Sequence, residues 1–187
     1  RKLAERGKRV VLVDTDLRRS MITTVYGVQF APGSKKQGLS HYLAGIAEKE
    51  EVLFHTNVPG MDFIPMGHEL LNPIPLLSSE RFQNLLDGLA EQYDYVIVDA
   101  APVGVVINAA EIAKVCDGIL LVVSYNQVHR QELIDAKNQL EQTGCPILGT
   151  ILNQVDYEGF ANKKYYYKSH YSSYYKAYEK EAEEKKS

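Results

Sequence analysis

The chain has 187 residues, enough for one domain with a sizeable core plus a tail. With 45% hydrophobic residues, 24% charged residues and a net charge of −3, it reads as an ordinary globular protein without the basic signature of nucleic-acid binding. No apolar run approaches the ~18 residues of a spanning helix and no secretory signal opens the sequence, so neither a membrane span nor export by that route is predicted.

Arg1-Lys2-Leu3-Ala4-Glu5-Arg6 consists largely of helix formers, has no N-cap before it, and is stopped by Gly7. It reads as the last turns of a helix whose beginning is absent. Val10-Val11-Leu12-Val13 follows, an apolar run rich in β-branched residues that predicts a short strand buried on both faces of a parallel sheet. The strand delivers Asp14, Asp16, Arg18 and Arg19 at its carboxyl end, which is the ligand side of an open α/β sheet. Two carboxylates beside guanidinium groups suit hydrated Mg²⁺ next to phosphate, although a polar turn containing Asp is the plainer reading of this stretch alone.

Residues 20–38 are predicted to be irregular, with Gly27, Pro32 and Gly33 marking turns. Gly38 to Gly45 reads as a short helix, and Glu48 to Phe54 as another. Met61 to Gly67 is predicted to be a strand leading to a ligand-side turn that precedes His68, Asn72 and Pro73. Ser78 or Ser79 caps a helix running to about Gln92, with Phe82, Leu85, Leu86 and Leu89 on its buried face. Tyr95 to Val98 is a second apolar strand, closed by Asp99 with Pro102 three residues on. Val105 to Val115 is predicted helical, Gly118 to Ser124 a fully buried strand, and His129 to Thr143 an amphipathic helix ended by Gly144. Pro146 to Asn153 is the last strand. The alternation of strands and helices argues an α/β fold, a doubly wound, mainly parallel sheet with flanking helices in three layers. Cys116 and Cys145 lack metal-ligand spacing and read as free thiols in apolar surroundings.

From Ala161 the composition changes. Seven Lys against four Glu leave residues 161–187 at +3 and the preceding body at −6. Tyr165, Tyr166, Tyr167, Tyr171, Tyr174, Tyr175 and Tyr178 account for seven of the chain's thirteen tyrosines. Without an aliphatic stripe to bury, this segment is predicted to be a mobile tail. Stacking on single-stranded nucleic acid, docking on a partner and phosphorylation compete as its role. Each phosphate adds about −1.5 to −2 charge, so a few of them reverse the sign of the tail.

The pair φφφ-Asp-x-Asp-x-Arg and φφφ-Asp-x-x-Pro, roughly eighty residues apart, resembles the Walker A′ and Walker B motifs of the bacterial tyrosine kinases. Gly38-Leu39-Ser40-His41-Tyr42-Leu43-Ala44-Gly45 is similar to a stretch of the same family, and so is a terminal tyrosine cluster. These kinases are a branch of the deviant-Walker, P-loop NTPase-like ATPases. The sequence departs from the family in two places. It has no Gly-x-x-x-x-Gly-Lys-Ser/Thr phosphate loop, which reads as an N-terminally truncated chain, and Pro75 stands where relatives usually carry Glu.

The resemblance implies a kinase/ATPase domain over 1–157, missing its N-terminal part, and a tyrosine-rich tail over 158–187. It implies ATP and Mg²⁺ as cofactors. Asp14 and Asp16 would organise the metal and help deprotonate the acceptor, Asp99 would hold the metal's water shell, and Arg18 would steady the transferring phosphate or pair with the aspartates. Asn153, closing the last strand, would help hold the purine base, against a plain turn role. The seven tail tyrosines would be phosphoacceptors. The implied partners are further copies of the chain in a ring phosphorylating in trans, a membrane-embedded activator of polysaccharide export, and a tyrosine phosphatase. Nucleic acid is not among them. The implied location is the cytoplasm, at the inner face of the plasma membrane through the activator. Two rivals stand beside this reading: a non-kinase ATPase of the septum-positioning or partition type, and a non-catalytic docking domain with a phosphorylatable tail.

Overall fold

The computed structural model describes residues 1–102 and 108–155. The tyrosine tail, the expected domain boundary at 157 and the start of the helix expected from Val105 lie outside the described residues. The rest falls into two units, residues 1–101 with 108–115, and residue 102 with 116–155.

In the first unit, Ala4–Arg6 forms a single 3-10 turn that Gly7 ends at φ 79°, a left-handed conformation that glycine adopts without a Cβ clash. β1 (Val10–Asp14) then runs through the centre of a four-stranded sheet of order β2-β3-β1-β4. Val10, Val11, Val13 and Asp14 are buried, as the apolar run predicts. β1 pairs in parallel with β3 (Met61–Ile64) and with β4 (Tyr95–Asp99), while β2 (Phe54–His55) lies antiparallel to β3.

Three local expectations change in this unit. The segment expected to be irregular contains one short helix, α1 (Ile22–Val25), because Met21 and Ile22 carbonyls accept the Val25 and Tyr26 N–H groups. The helix expected over 48–54 ends early as α3 (Lys49–Val52), since Phe54 leaves it to pair with Phe63 across β2 and β3. A further short helix, α4 (Ile74–Leu77), starts right after Pro73, which brings a fixed φ suited to a helix start.

α2 (Leu39–Leu43) begins at Gly38, where an added Cβ would lie 2.3 Å from the Pro65 carbonyl and 2.4 Å from the Gly67 nitrogen. Only glycine allows the chain to pass that close, so α2 is docked onto the turn that leaves β3. α5 (Glu80–Ala90) follows the sequence expectation closely. Ser79 caps it by accepting the Phe82 N–H, and Phe82, Leu85, Leu86 and Leu89 are buried. Each such side chain contributes on the order of 1.5–3 kcal/mol of burial free energy. α6 (Asn108–Ala113) completes the unit.

The second unit holds β5 (Ile119–Ser124), α7 (Arg130–Glu141) and β6 (Ile147–Asn153), with β5 and β6 parallel. The expectation of a fully buried strand over 118–124 fails: Leu120 is 60% and Val122 57% exposed. A continuous apolar run does not say how many faces are covered, and β5 has a single strand partner among the described residues. β4 departs in the same way, with exposure alternating along it and Asp99 open to solvent. Both cysteines are free, and burial pushes the Cys116 thiol up to about 11, as expected of an unreactive one.

Candidate functional site

The register of the sheet assembles the site. β1 and β4 run parallel with Asp14 opposite Asp99, so the two acids that close these strands come to the same carboxyl edge. Side chains at paired positions leave the same face of a parallel pair. Thr15 locks this edge, with its N–H donating to the Asp99 carbonyl at 2.9 Å and its hydroxyl to the same oxygen at 2.5 Å. Thr15 is fully buried and sits between the two conspicuous aspartates, a role that its position in the motif did not announce.

Asp14 is fully buried. Its Oδ2 accepts a hydrogen bond from the Ser20 hydroxyl, whereas its Oδ1 is buried with no hydrogen-bond partner. Loss of hydration pushes its pKa up to about 7, and the neighbouring Asp99 and Asp16 charges add to the rise while the Ser20 bond opposes it. Asp16 is almost fully buried, and its Oδ1 accepts the Arg19 N–H at 3.1 Å and the Arg18 N–H at 3.4 Å. This turn folds the chain back at the strand end, with Arg18 half-buried in it. Asp99 is also pushed up, first by desolvation on its protein side and then by the Asp16 charge. The three acids that the motifs single out therefore act on one another electrostatically.

The next turn is tied to the same edge. Leu70 N–H donates to the Leu17 carbonyl at 2.7 Å, and Ser40 Oγ accepts the His68 N–H at 2.8 Å. His41 and His68 rings lie 4.6 Å apart, and His41 Nδ1 accepts the Gly38 N–H at 3.1 Å. Burial, and then His68, lower the His41 pKa, which keeps that ring neutral. Sequence reading placed His68 on this side of the sheet but passed over Ser20, Thr15 and His41. A Ser two residues before an amide that it can serve was the available signal for Ser20.

Asn153 belongs to the second unit. Its Oδ1 accepts the Gln154 N–H at 2.9 Å and its carbonyl accepts the Tyr125 N–H at 2.8 Å, which is the turn role set beside the purine role. The candidate phosphoacceptors Tyr165, Tyr166, Tyr167, Tyr171, Tyr174, Tyr175 and Tyr178 lie outside the described residues.

The donor set suits a hard divalent cation that keeps most of its water. Among the described residues no group of three or more His, Cys, Asp or Glu side chains forms a ready-made metal cage. Mg²⁺ does not need one, because it is held through one or two carboxylates with waters and phosphate oxygens as its remaining ligands. An anionic oxygen left buried and unpaired, as Asp14 Oδ1 is, is costly unless something positive meets it. Among the described residues no helix is long and apolar enough to cross a membrane.

Comparison with known proteins agrees with this layout. A family profile described as an AAA domain matches residues 1–144. The chain is 38% identical over 154 residues to tyrosine-protein kinase CpsD of Streptococcus agalactiae serotype III (strain NEM316), covering 82% of this chain and 65% of the relative. It is 36% identical over 156 residues to tyrosine-protein kinase CpsD of Streptococcus pneumoniae, covering 83% of this chain and 67% of that one. The chain thus spans about two thirds of the length of these relatives. The solved kinase domain of Escherichia coli tyrosine kinase ETK superposes with a TM-score of 0.78 at 33% identity, covering 89% of this chain and 63% of that one. A P-loop NTPase-like α/β fold, paired acidic strand ends and relatives at this level of identity lead to one conclusion: the chain belongs to the family of bacterial tyrosine kinases.

Proposed function

We propose that this chain belongs to a protein-tyrosine autokinase that moves the γ-phosphoryl group of ATP to its own C-terminal tyrosine cluster. The single observation that carries the reading is Asp14, a buried carboxylate with one unpaired oxygen at the strand edge shared with Asp99. Asp14, Asp16 and Asp99 would hold Mg²⁺, directly or through water. Bound there, the cation would neutralise phosphate charge, the main electrostatic demand of phosphoryl transfer.

The side chains then have separable tasks. The phenol of an acceptor tyrosine, with an ordinary pKa near ~10, loses its proton as its oxygen bonds to phosphorus and the bond to the ADP oxygen breaks. A carboxylate at this edge that is not itself spent on the cation, Asp16 for one, would help to take up that proton. Arg18, whose backbone N–H is bound in the turn at Asp16, would meet anionic oxygen through its guanidinium. Asn153 would contact the base through the side-chain amide that its turn bond leaves available. The sequence has no glycine-rich lysine loop, so the 187 residues alone are expected to bind Mg-ATP weakly.

The wider reading follows the same family. Transfer would occur in trans between copies in a ring, with a membrane-embedded activator recruiting the kinase to the inner face of the plasma membrane. A phosphatase would reset the cycle, and the cycle would govern capsule or exopolysaccharide export. The decisive experiment is intact mass of the native protein before and after phosphatase, alongside an Asp14→Ala variant. The expected result is a phosphate ladder mapping to residues 165–178 that falls at least ~100-fold in the variant. A ladder that persists in Asp14→Ala assigns the phosphorylation to another kinase. No ladder in either protein overturns the kinase reading in favour of a nucleotide-switched binding protein.

A further inference from the structure

Ser20 stands outside the Asp-x-Asp-x-Arg pattern, six residues beyond Asp14, yet it makes the one side-chain hydrogen bond to Asp14 found among the described residues. A hydroxyl has a single proton and two lone pairs. Ser20 gives the proton to Asp14 Oδ2, and its oxygen accepts the Ile22 N–H at 3.2 Å. That second bond ties the hydroxyl to the first turn of α1, so the serine is held from the backbone side while it holds the carboxylate. The two oxygens of Asp14 consequently differ: Oδ2 is committed, and Oδ1 is buried and unpartnered.

We propose that Ser20 is a positioning residue that fixes the Asp14 carboxylate so that Oδ1 alone is presented to a divalent cation. The inference rests on the reading of Asp14 as a cation ligand. The terminal torsion of an aspartate is broad, so an untethered carboxylate turns easily and can offer both oxygens. Mg²⁺ requires near-ideal octahedral geometry with short bonds to single oxygens, whereas Ca²⁺ accepts bidentate carboxylates and irregular shells. A tether on Oδ2 therefore favours the smaller ion by restricting how the ligand is offered. This is a matter of selectivity, separate from how strongly any cation is drawn to the acidic edge.

The test titrates the protein with Mn²⁺, followed by electron paramagnetic resonance, and competes the bound ion with Mg²⁺ and with Ca²⁺. In Ser20→Ala the preference for Mg²⁺ over Ca²⁺ is expected to fall about ten-fold, the scale of one hydrogen bond to a charged group. Ser20→Thr keeps the hydroxyl and stays within about two-fold of the starting ratio. Ser20→Cys, whose thiol is a poor donor, follows Ser20→Ala and serves if that variant does not fold. An unchanged ratio in Ser20→Ala, or equal weakening of both ions, overturns the inference and leaves the serine a structural tie. If the unaltered protein takes up no Mn²⁺, the cation reading of Asp14 falls and the inference falls with it.

Discussion

β1 and β5 are written in nearly the same alphabet and meet different fates. Val10, Val11 and Val13 are buried on both faces of β1, the inner strand between β3 and β4. Ile119 to Val123 is just as apolar, yet Leu120 and Val122, two residues apart and so on one face of β5, are more than half exposed, because that face is open. The polar residues that close the strands differ in parallel. Asp14 ends β1 in full burial with its pKa at about 7, while Asn153 ends β6 exposed and bonded to the next amide. A strand's neighbours, more than its own composition, decide whether the residue at its end becomes reactive.

That contrast is sharpened first by pH. The carboxyl of Asp14 is raised from 3.8 to about 7, so between those values the native state keeps a proton that the unfolded chain has lost. Native protons then outnumber unfolded ones, and stability falls as pH rises through this window, with the loss complete above about pH 7. In metal-free buffer the unfolding free energy from urea titration should drop by ~3 kcal/mol between pH 5 and pH 8. Asp14→Asn should flatten most of that slope; Asp99, shifted in the same direction, retains a smaller part. An unaltered slope in Asp14→Asn would show that the buried carboxylate is not the source.

Packing breaks the comparison next. Val13→Ala removes two methyl groups from a fully buried site and is expected to cost ~2 kcal/mol, read from the denaturation midpoint. Val122→Ala, at a site 57% exposed, is expected to cost under ~0.5 kcal/mol. Equal costs would mean that β5 is covered in solution. The smallest effect belongs to Asn153→Ala. Its turn bond leaves the amide available to the base, so calorimetry with Mg-ADP is expected to show about a two- to three-fold loss of affinity, the scale of one exposed hydrogen bond, and an unchanged affinity would leave Asn153 a turn residue.

Much of this was legible beforehand because it is local. Ser79 as a cap, the buried stripe Phe82, Leu85, Leu86 and Leu89, and the stop at Gly7 each depend on residues within one or two helical turns. Asp14, Asp16 and Asp99 were legible from the apolar runs that they close. Ser20 and Thr15 were not, because their partners are fixed by the fold of the loop and by strand pairing across 84 residues in the case of Thr15 and Asp99. The early end of α3 has a similar origin: Phe54 has a cross-strand partner in Phe63, and pairing wins over helix propensity in so short a segment.

The sequence by itself determined the alternation of strands and helices, the acids at the strand ends and the family to which they belong, since periodicity and short motifs are properties of the chain. Only the tertiary structure decided which apolar strand is enclosed, which carboxylate oxygen is left without a partner, and which serine holds the other one. Those outcomes depend on desolvation and on hydrogen-bond geometry between segments distant in sequence, and both arise only when the strands are set side by side.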